Sequence, residues 1–285
     1  MIRAADALAA LRERLAGGSG SAALDAEILV AKALGVSRAA LAADPGRALR
    51  AEELLTLESL ARRRLAGEPV AYLTGRREFW SLELEVTPDV LVPRPETELL
   101  VERTLAAIAG AGRPAVLDLG TGSGAIALAV ASARPDAVVT ATDASAAALA
   151  VARRNALRLG LPNLRFVEGA WYAPIAGARF DAIASNPPYV AAGDVSLVAL
   201  AHEPMLALAA GREGLEALAE VVAGARAHLV PGGALLVEHG SGQGAAVRRL
   251  CADAGLEGIE TLADLAGHDR VTEGRRPREA VESAP

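Results

Sequence analysis

Apolar residues recur at helical intervals through about the first 70 positions of the chain. Leu24, Ile28, Ala31 and Leu34 form one such series, and Leu54, Leu57, Ala61 and Leu65 another. Small breakers separate the series, at Gly17 to Ser21 and at Asp44-Pro45-Gly46. The pattern predicts a small helical bundle over residues 1–75. The period then shortens to two: Leu82, Leu84 and Val86 alternate with Ser81, Glu83 and Glu85, as in a half-buried strand. A β-rich connector over 76–94 is expected, with a hairpin from about 79 to 92. Pro93 and Pro95 stiffen its end, and Pro95 suits the first turn of a helix reaching to about 109.

From residue 115 strands and helices alternate. Strands are predicted at 115–119, 138–142, 164–167, 181–185 and 234–238, with helices at 124–133, 145–159, 214–229 and 245–254. Two last strands fit 259–273. Such alternation implies a mostly parallel sheet with helices on both faces, an α/β catalytic domain over 95–285.

Two motifs fall at strand ends in this scheme. The strand Val116 to Leu119 runs into Gly120-Thr121-Gly122-Ser123-Gly124 and then a helix. Glycines there permit a tight turn and close approach of backbone N–H groups to a ligand. The next strand ends in Asp143, a carboxylate suited to accept both hydroxyls of a ribose. Because Gly120, Gly122 and Ala125 also satisfy the dinucleotide fingerprint, this loop leaves nicotinamide dinucleotide and S-adenosylmethionine both open.

Asn186-Pro187-Pro188-Tyr189 follows the strand at 181–185 and so lies at the same edge. The prolines fix φ and remove two donors, leaving a rigid turn that offers acceptors. Methylation of an amide-like nitrogen needs such a turn, because its lone pair is delocalised and the nitrogen is a poor nucleophile. The Asn186 side-chain oxygen and the Pro187 carbonyl can hold the two N–H groups and stabilise the developing positive charge, while Tyr189 walls off water. Joined to the glycine loop and Asp143, the tetrapeptide favours a methyltransferase over a dehydrogenase, which would need a proton-transfer pair beside the loop. It also weighs against a non-catalytic scaffold.

Composition narrows the acceptor. The net charge is −6, which disfavours a nucleic-acid backbone as the main partner. The many arginines carry little weight, because Lys32 is the sole lysine and the bias is global. Cys251 is the single cysteine and the four histidines are scattered, so neither a disulfide framework nor a metal is expected. No apolar run approaches the ~18 residues of a membrane span, and the charged, alanine-rich start reads as an amphipathic helix, so a cytoplasmic protein is expected. The main rival is an adenine-N6 DNA or guanine-N2 RNA methyltransferase, which would need a basic groove and a flipped base.

Across nearly its whole length the chain resembles the protein-(glutamine-N5) methyltransferases that act on class-1 peptide chain release factors. The resemblance is carried by LDAEILVAKALG from Leu24, RRRLAGEPVAYLTGRREFWSLELEV from Arg62, LVPRPETE from Leu91 and DLGTGSGAIALA from Asp118. NPPY, HEP from His202, GGALLVEHG from Gly232 and DRVTEGR from Asp269 complete it. It implies a Rossmann-like S-adenosylmethionine-dependent methyltransferase domain behind a helical substrate-recognition bundle. It further implies that Gly120 to Gly124, Asp143 and Asn186 bind S-adenosylmethionine, with Trp171 beside the adenine. Asn186 to Tyr189 would then hold the glutamine of a Gly-Gly-Gln loop. One departure is Ala170, where the family usually carries an acidic residue.

Overall fold

The computed structural model describes residues 1–18 and 20–278. Ser19, inside the expected Gly-Ser break, and residues 279–285 of the expected catalytic domain lie outside that description. The chain divides into two compact units, Met1–Arg76 and Arg77–Pro285.

The first unit contains α1 (Ala4–Leu15), α2 (Ala22–Leu34), α3 (Arg38–Ala43), α4 (Ala51–Leu65) and α5 (Val70–Thr74). Gly35, left-handed at φ 64°, ends α2, and the Ser37 hydroxyl accepts from Ala40 N to start α3. The core gathers Leu11, Leu15, Leu29, Val30, Leu34 and Leu57. It is offset from the stripe read above. Leu24 is 44% exposed, because α2 is apolar on most sides and it is the face bearing Ala26, Leu29 and Val30 that turns inward. Arg62 and Arg63 are exposed, as expected of a solvated helical face, and Arg63 pairs with Glu68 at 2.5 Å, whereas Arg64 is largely covered and pairs with buried Asp25 at 2.9 Å.

In the second unit β1 (Arg76–Phe79) and β2 (Leu82–Glu85) form a hairpin. The turn is Trp80-Ser81, left-handed at both residues (φ 52° and 58°), the geometry that matches strand twist in two-residue hairpins. The hairpin thus lies earlier than the expected 79–92, and 86–94 carries no strand. Without glycine or asparagine in the turn, the chain gave no local sign of it. Glu98 Oε1, accepting from Trp80 N at 2.9 Å, supports the strained pair from afar.

Beyond the hairpin come α6 (Glu98–Ala107), β3 (Ala115–Leu119), α7 (Ala125–Ala133), β4 (Val138–Asp143), α8 (Ala146–Leu159), β5 (Leu164–Glu168) and β6 (Phe180–Ser185). They are followed by α9 (Ser196–Ala199), α10 (Glu216–His228), β7 (Leu229–Glu238), α11 (Gly244–Asp253), β8 (Glu257–Ala263) and β9 (Asp269–Arg275). The sheet order is β5-β4-β3-β6-β7-β9-β8. The pairings from β5 to β7 are parallel, and β9 lies antiparallel between β7 and β8. β3 is therefore the switch point: β4 lies on one side and β6 on the other, and a crevice opens at their carboxyl ends. Both sheet motifs read from the sequence end there.

Candidate functional site

The glycine loop is built by its own backbone. Gly120 N and Thr121 N both donate to Thr142 O at 2.9 Å, binding the tip of β3 to the tip of β4. Gly120, Gly122 and Gly124 take φ of 71°, 55° and 88°, a region that disfavours any side chain with a Cβ. At Gly124 the reason is packing, since a Cβ would come within 2.9 Å of Leu128 Cδ1 and 3.2 Å of Ala152 Cβ. At Gly122 it is access, since nothing lies within 4 Å of that position.

Asp118 sits beneath the loop, fully buried. Its Oδ2 accepts from Thr121 Oγ1 at 2.6 Å and Ala127 N at 3.1 Å, while Oδ1 has no hydrogen-bond partner among the described residues. Burial pushes this carboxyl up to about 7, with the two donors pulling down and Asp143 adding a smaller upward push. Asp143 is also raised by burial and lowered by Ser145 N and Gly122 N, each donating to it at 2.8 Å. The Trp171 ring faces Gly120, where a Cβ would stand 3.5 Å from it. Trp171 is itself left-handed at φ 45°, its carbonyl accepting from Thr142 Oγ1 at 3.3 Å, and it also packs on the core.

Ser185 Oγ donates to Leu119 O at 2.8 Å, which draws the start of NPPY to the glycine loop. Asn186 Nδ2 donates to Thr97 Oγ1 at 3.3 Å, and Tyr189 donates through its hydroxyl to Glu238 Oε1 at 3.3 Å. Tyr189 O accepts from Gln243 Nε2 at 3.1 Å, and Gly214 leaves room for that carbonyl, since a Cβ there would fall 2.4 Å from it. Burial raises Tyr189, and Glu238 raises it further. Glu238 is itself buried and pushed up to about 7, while Thr97 and Tyr189 hold it lower than burial alone would. Arg94 pairs with the buried Glu203 carboxylate, which also accepts from Val92 N at 3.0 Å. Arg94 thereby fixes the segment before Pro95 to the HEP turn.

A cavity of about 390 Å³ opens at this edge. Gly120, Gly122, Asp143, Trp171, Asn186 and Pro188 all line it. Thr121, Ser123, Gly124, Pro187 and Tyr189 do not. Thr121 and Ser123 are buried and serve the loop, Gly124 serves helix packing, and Tyr189 turns to Glu238. Ala170 lines the cavity in company with Glu216 and Glu220 on α10. Among the described residues no cluster of His, Cys, Asp and Glu could hold a metal ion, and no helix is long and apolar enough to cross a membrane.

S-adenosylmethionine fits these residues. Asp143 retains acceptor capacity for a ribose diol beyond the two N–H groups it binds. Gly122 leaves open space, and Trp171 offers an aromatic face.

Two family models match the chain: the PrmC N-terminal domain over residues 6–75 and the methyltransferase small domain over 95–248. The release factor glutamine methyltransferase of Burkholderia pseudomallei is 53% identical over 263 residues, covering 90% of this chain and 92% of that protein. The enzyme of the same description from Vibrio cholerae is 46% identical over 276 residues, covering 94% and 95%. The chain belongs to the release factor glutamine methyltransferase family. Its methyl donor is S-adenosylmethionine. Solved structures share the fold at lower identity. A methyltransferase from Pyrococcus furiosus superposes with a TM-score of 0.54 at 21% identity, over 77% of this chain and 99% of that one. The 16S rRNA N2 G1207 methyltransferase of T. thermophilus gives 0.53 at 22%, over 70% and 49%.

Sequence reasoning assigns no role to Asp118 or Thr97, and it reads Glu238 only as a strand end that faces the active edge or solvent; the structure buries it. Asp118 was visible as a charge inside an apolar strand, a pattern that asks for an explanation. Thr97 and Glu238 touch the site only through contacts 89 and 49 positions apart in sequence, and no local signal joins them.

Proposed function

We propose that this chain transfers a methyl group to the side-chain amide nitrogen (N5) of the glutamine in the Gly-Gly-Gln loop of class-1 peptide chain release factors. The observation that carries the proposal is that Asn186 and Pro188 share one cavity with Gly120, Gly122, Asp143 and Trp171. Family membership supports the same acceptor and a cytoplasmic site of action. The sulfonium of S-adenosylmethionine supplies an activated methyl, so the chain needs no strong base. Its own work is to hold the amide. Asn186 Oδ1 and the Pro187 carbonyl accept the two N–H groups and stabilise positive charge as the nitrogen attacks. The N–C bond forms as the S–C bond breaks, and the nitrogen then gives up one proton to solvent. Tyr189, held by Glu238, stiffens the turn. Asp143 takes the ribose hydroxyls and Trp171 the adenine face. No metal enters this scheme.

The test is methyl transfer from labelled S-adenosylmethionine to purified release factor, beside a release factor with the loop glutamine replaced and an Asn186→Ala enzyme. Total nucleic acid serves as competing acceptor. We expect label on the release factor alone, lost with either substitution. Label on nucleic acid alone would overturn the proposal in favour of base methylation.

A further inference from the structure

Gln243 stands at the start of α11, just past the turn that follows β7. Its side-chain amide is bonded at both ends to backbone. Nε2 donates to Tyr189 O and to Gly214 O, both at 3.1 Å, and Oε1 accepts from Gly240 N at 2.8 Å. These partners decide which end of the amide is which, because a carbonyl oxygen can only accept and a backbone N–H can only donate. The side chain is itself anchored to the sheet. Gln243 N donates to Gly240 O at 2.9 Å, which closes a reciprocal pair of bonds at the tip of β7.

Three segments far apart in sequence meet on this one group. Tyr189 closes NPPY, Gly214 precedes α10 and Gly240 follows β7. Tyr189 and Gly214 also flank the segment 190–213, which brings Pro204, Leu206, Ala207, Ala209 and Ala210 to the cavity wall. The fit is close: a Cβ at Gly214 would fall 2.4 Å from Tyr189 O, and one at Gly240 would fall 3.1 Å from Gln243 Oε1. The near end of NPPY is fixed by the bond from Ser185 to Leu119. Pro187 and Pro188 have no N–H with which to fix the middle. The far end rests on Tyr189, whose bond to Glu238 holds the ring and whose bond from Gln243 holds the backbone.

We propose that Gln243 is a positioning residue for methyl transfer: its one amide joins the far end of NPPY to the start of α10 and to the tip of β7, and so keeps the acceptor-holding turn in one arrangement. The inference rests on the proposed role of Asn186 and Pro187 in holding the acceptor amide. A reactant displaced by about 1 Å can lose on the order of 100-fold in rate, so a loosened turn shows first in kcat. Gln243→Glu is the sharpest probe. It keeps the shape of the side chain and the bond from Gly240 N, but sets a carboxylate oxygen against two carbonyl oxygens where two donors had been.

The experiment uses the full-length enzyme with purified release factor and compares Gln243→Glu, Gln243→Met and Arg248→Ala. Arg248 is the control: it lies on the same helix and donates to Thr261 Oγ1 at 2.7 Å, away from the turn. Thermal unfolding and S-adenosylmethionine binding are measured for each variant. Gln243→Glu and Gln243→Met should lower kcat about tenfold or more, while the KM for release factor and the cofactor affinity stay within about threefold of the parent. Arg248→Ala should hold kcat within about twofold. Parental kcat in Gln243→Glu overturns the inference. Equal loss of cofactor affinity also overturns it, because the bonds would then serve the cavity as a whole. So does an Arg248→Ala enzyme as impaired as the others, which would assign the effect to a loosened helix. If Gln243→Met unfolds, Gln243→Glu, with the Gly240 bond retained, decides alone. No transfer to release factor by the parent enzyme would instead overturn the underlying function and the inference with it, a result separable from the others.

Discussion

Asp118 and Glu238 stand near the carboxyl ends of two strands of one sheet, each buried, each with one oxygen lacking a partner, each raised to about 7. They are held in opposite ways. Asp118 is clasped within nine residues of itself, by Thr121 and Ala127, and so belongs to a self-contained loop. Glu238 is held from across the fold by Tyr189, and Thr97 reaches the same turn through Asn186. The cofactor side of the cavity is thus a local device carried by one strand-turn-helix unit. The acceptor side exists only when three distant segments have folded together. A local loop can serve one unchanging ligand in many proteins, whereas an assembled site can be retuned for its acceptor without disturbing the loop.

The widest separation of the two sides comes from Asp143→Asn against Asn186→Ala. Asn186→Ala should lower kcat by roughly two to three orders of magnitude, the range for losing one preorganised group that stabilises transition-state charge. Its cofactor affinity should stay close to the parent's. Asp143→Asn should act on affinity, weakening S-adenosylmethionine binding by about 10–100-fold, the worth of hydrogen bonds to a charged acceptor. Calorimetry and steady-state kinetics on both variants check this. Equal loss of affinity in both would merge the two sides into one.

This division also explains what was legible in the sequence. The glycine loop, Asp143 and the order of strands and helices were readable because each is written in neighbouring residues. NPPY was readable as a motif, but its lining was not: Pro188 rather than Tyr189 faces the cavity, because Tyr189 is drawn to Glu238. The hairpin was placed too late because its turn is Trp80-Ser81, a left-handed pair held by Glu98 rather than by its own residue types. Local chemistry was visible and long-range satisfaction was not.

A smaller effect should appear in stability against pH. Both carboxyls are raised on folding, so the folded state holds protons that the unfolded chain has released. Stability is then fully present below about pH 4 and declines until pH passes about 7, by no more than about 3–4 kcal/mol for each carboxyl. Asp143 faces Asp118, and Glu96 and Arg270 face Glu238, so neither titrates alone. Thermal unfolding of the cofactor-free enzyme from pH 4 to 8 should show a flatter profile in both Asp118→Asn and Glu238→Gln. A slope unchanged in either variant would mean that the carboxyl in question does not hold its proton in the folded state.

The smallest effect tests whether the cofactor side is as self-contained as it looks. One remote strut on that side is the hairpin residue Glu85, which two consecutive residues of α8 reach. Asn155, fully buried, accepts from Glu85 N at 2.7 Å and donates to Glu85 O and to Ser123 O, both at 3.0 Å, so it ties hairpin and glycine loop together. Arg154 reaches the Glu85 carboxylate at 2.7 Å, but those side chains are 49% and 35% exposed. Solvent screens the second link and cannot replace the first. Asn155→Ala removes these three hydrogen bonds and should cost about 1–3 kcal/mol and weaken cofactor binding, whereas Arg154→Ala should stay within about 0.5 kcal/mol of the parent. Denaturant unfolding of the two variants settles the difference. A cost at Arg154 equal to that at Asn155 would make the hairpin an electrostatic brace. Parental cofactor affinity in Asn155→Ala would leave the glycine loop standing on its own.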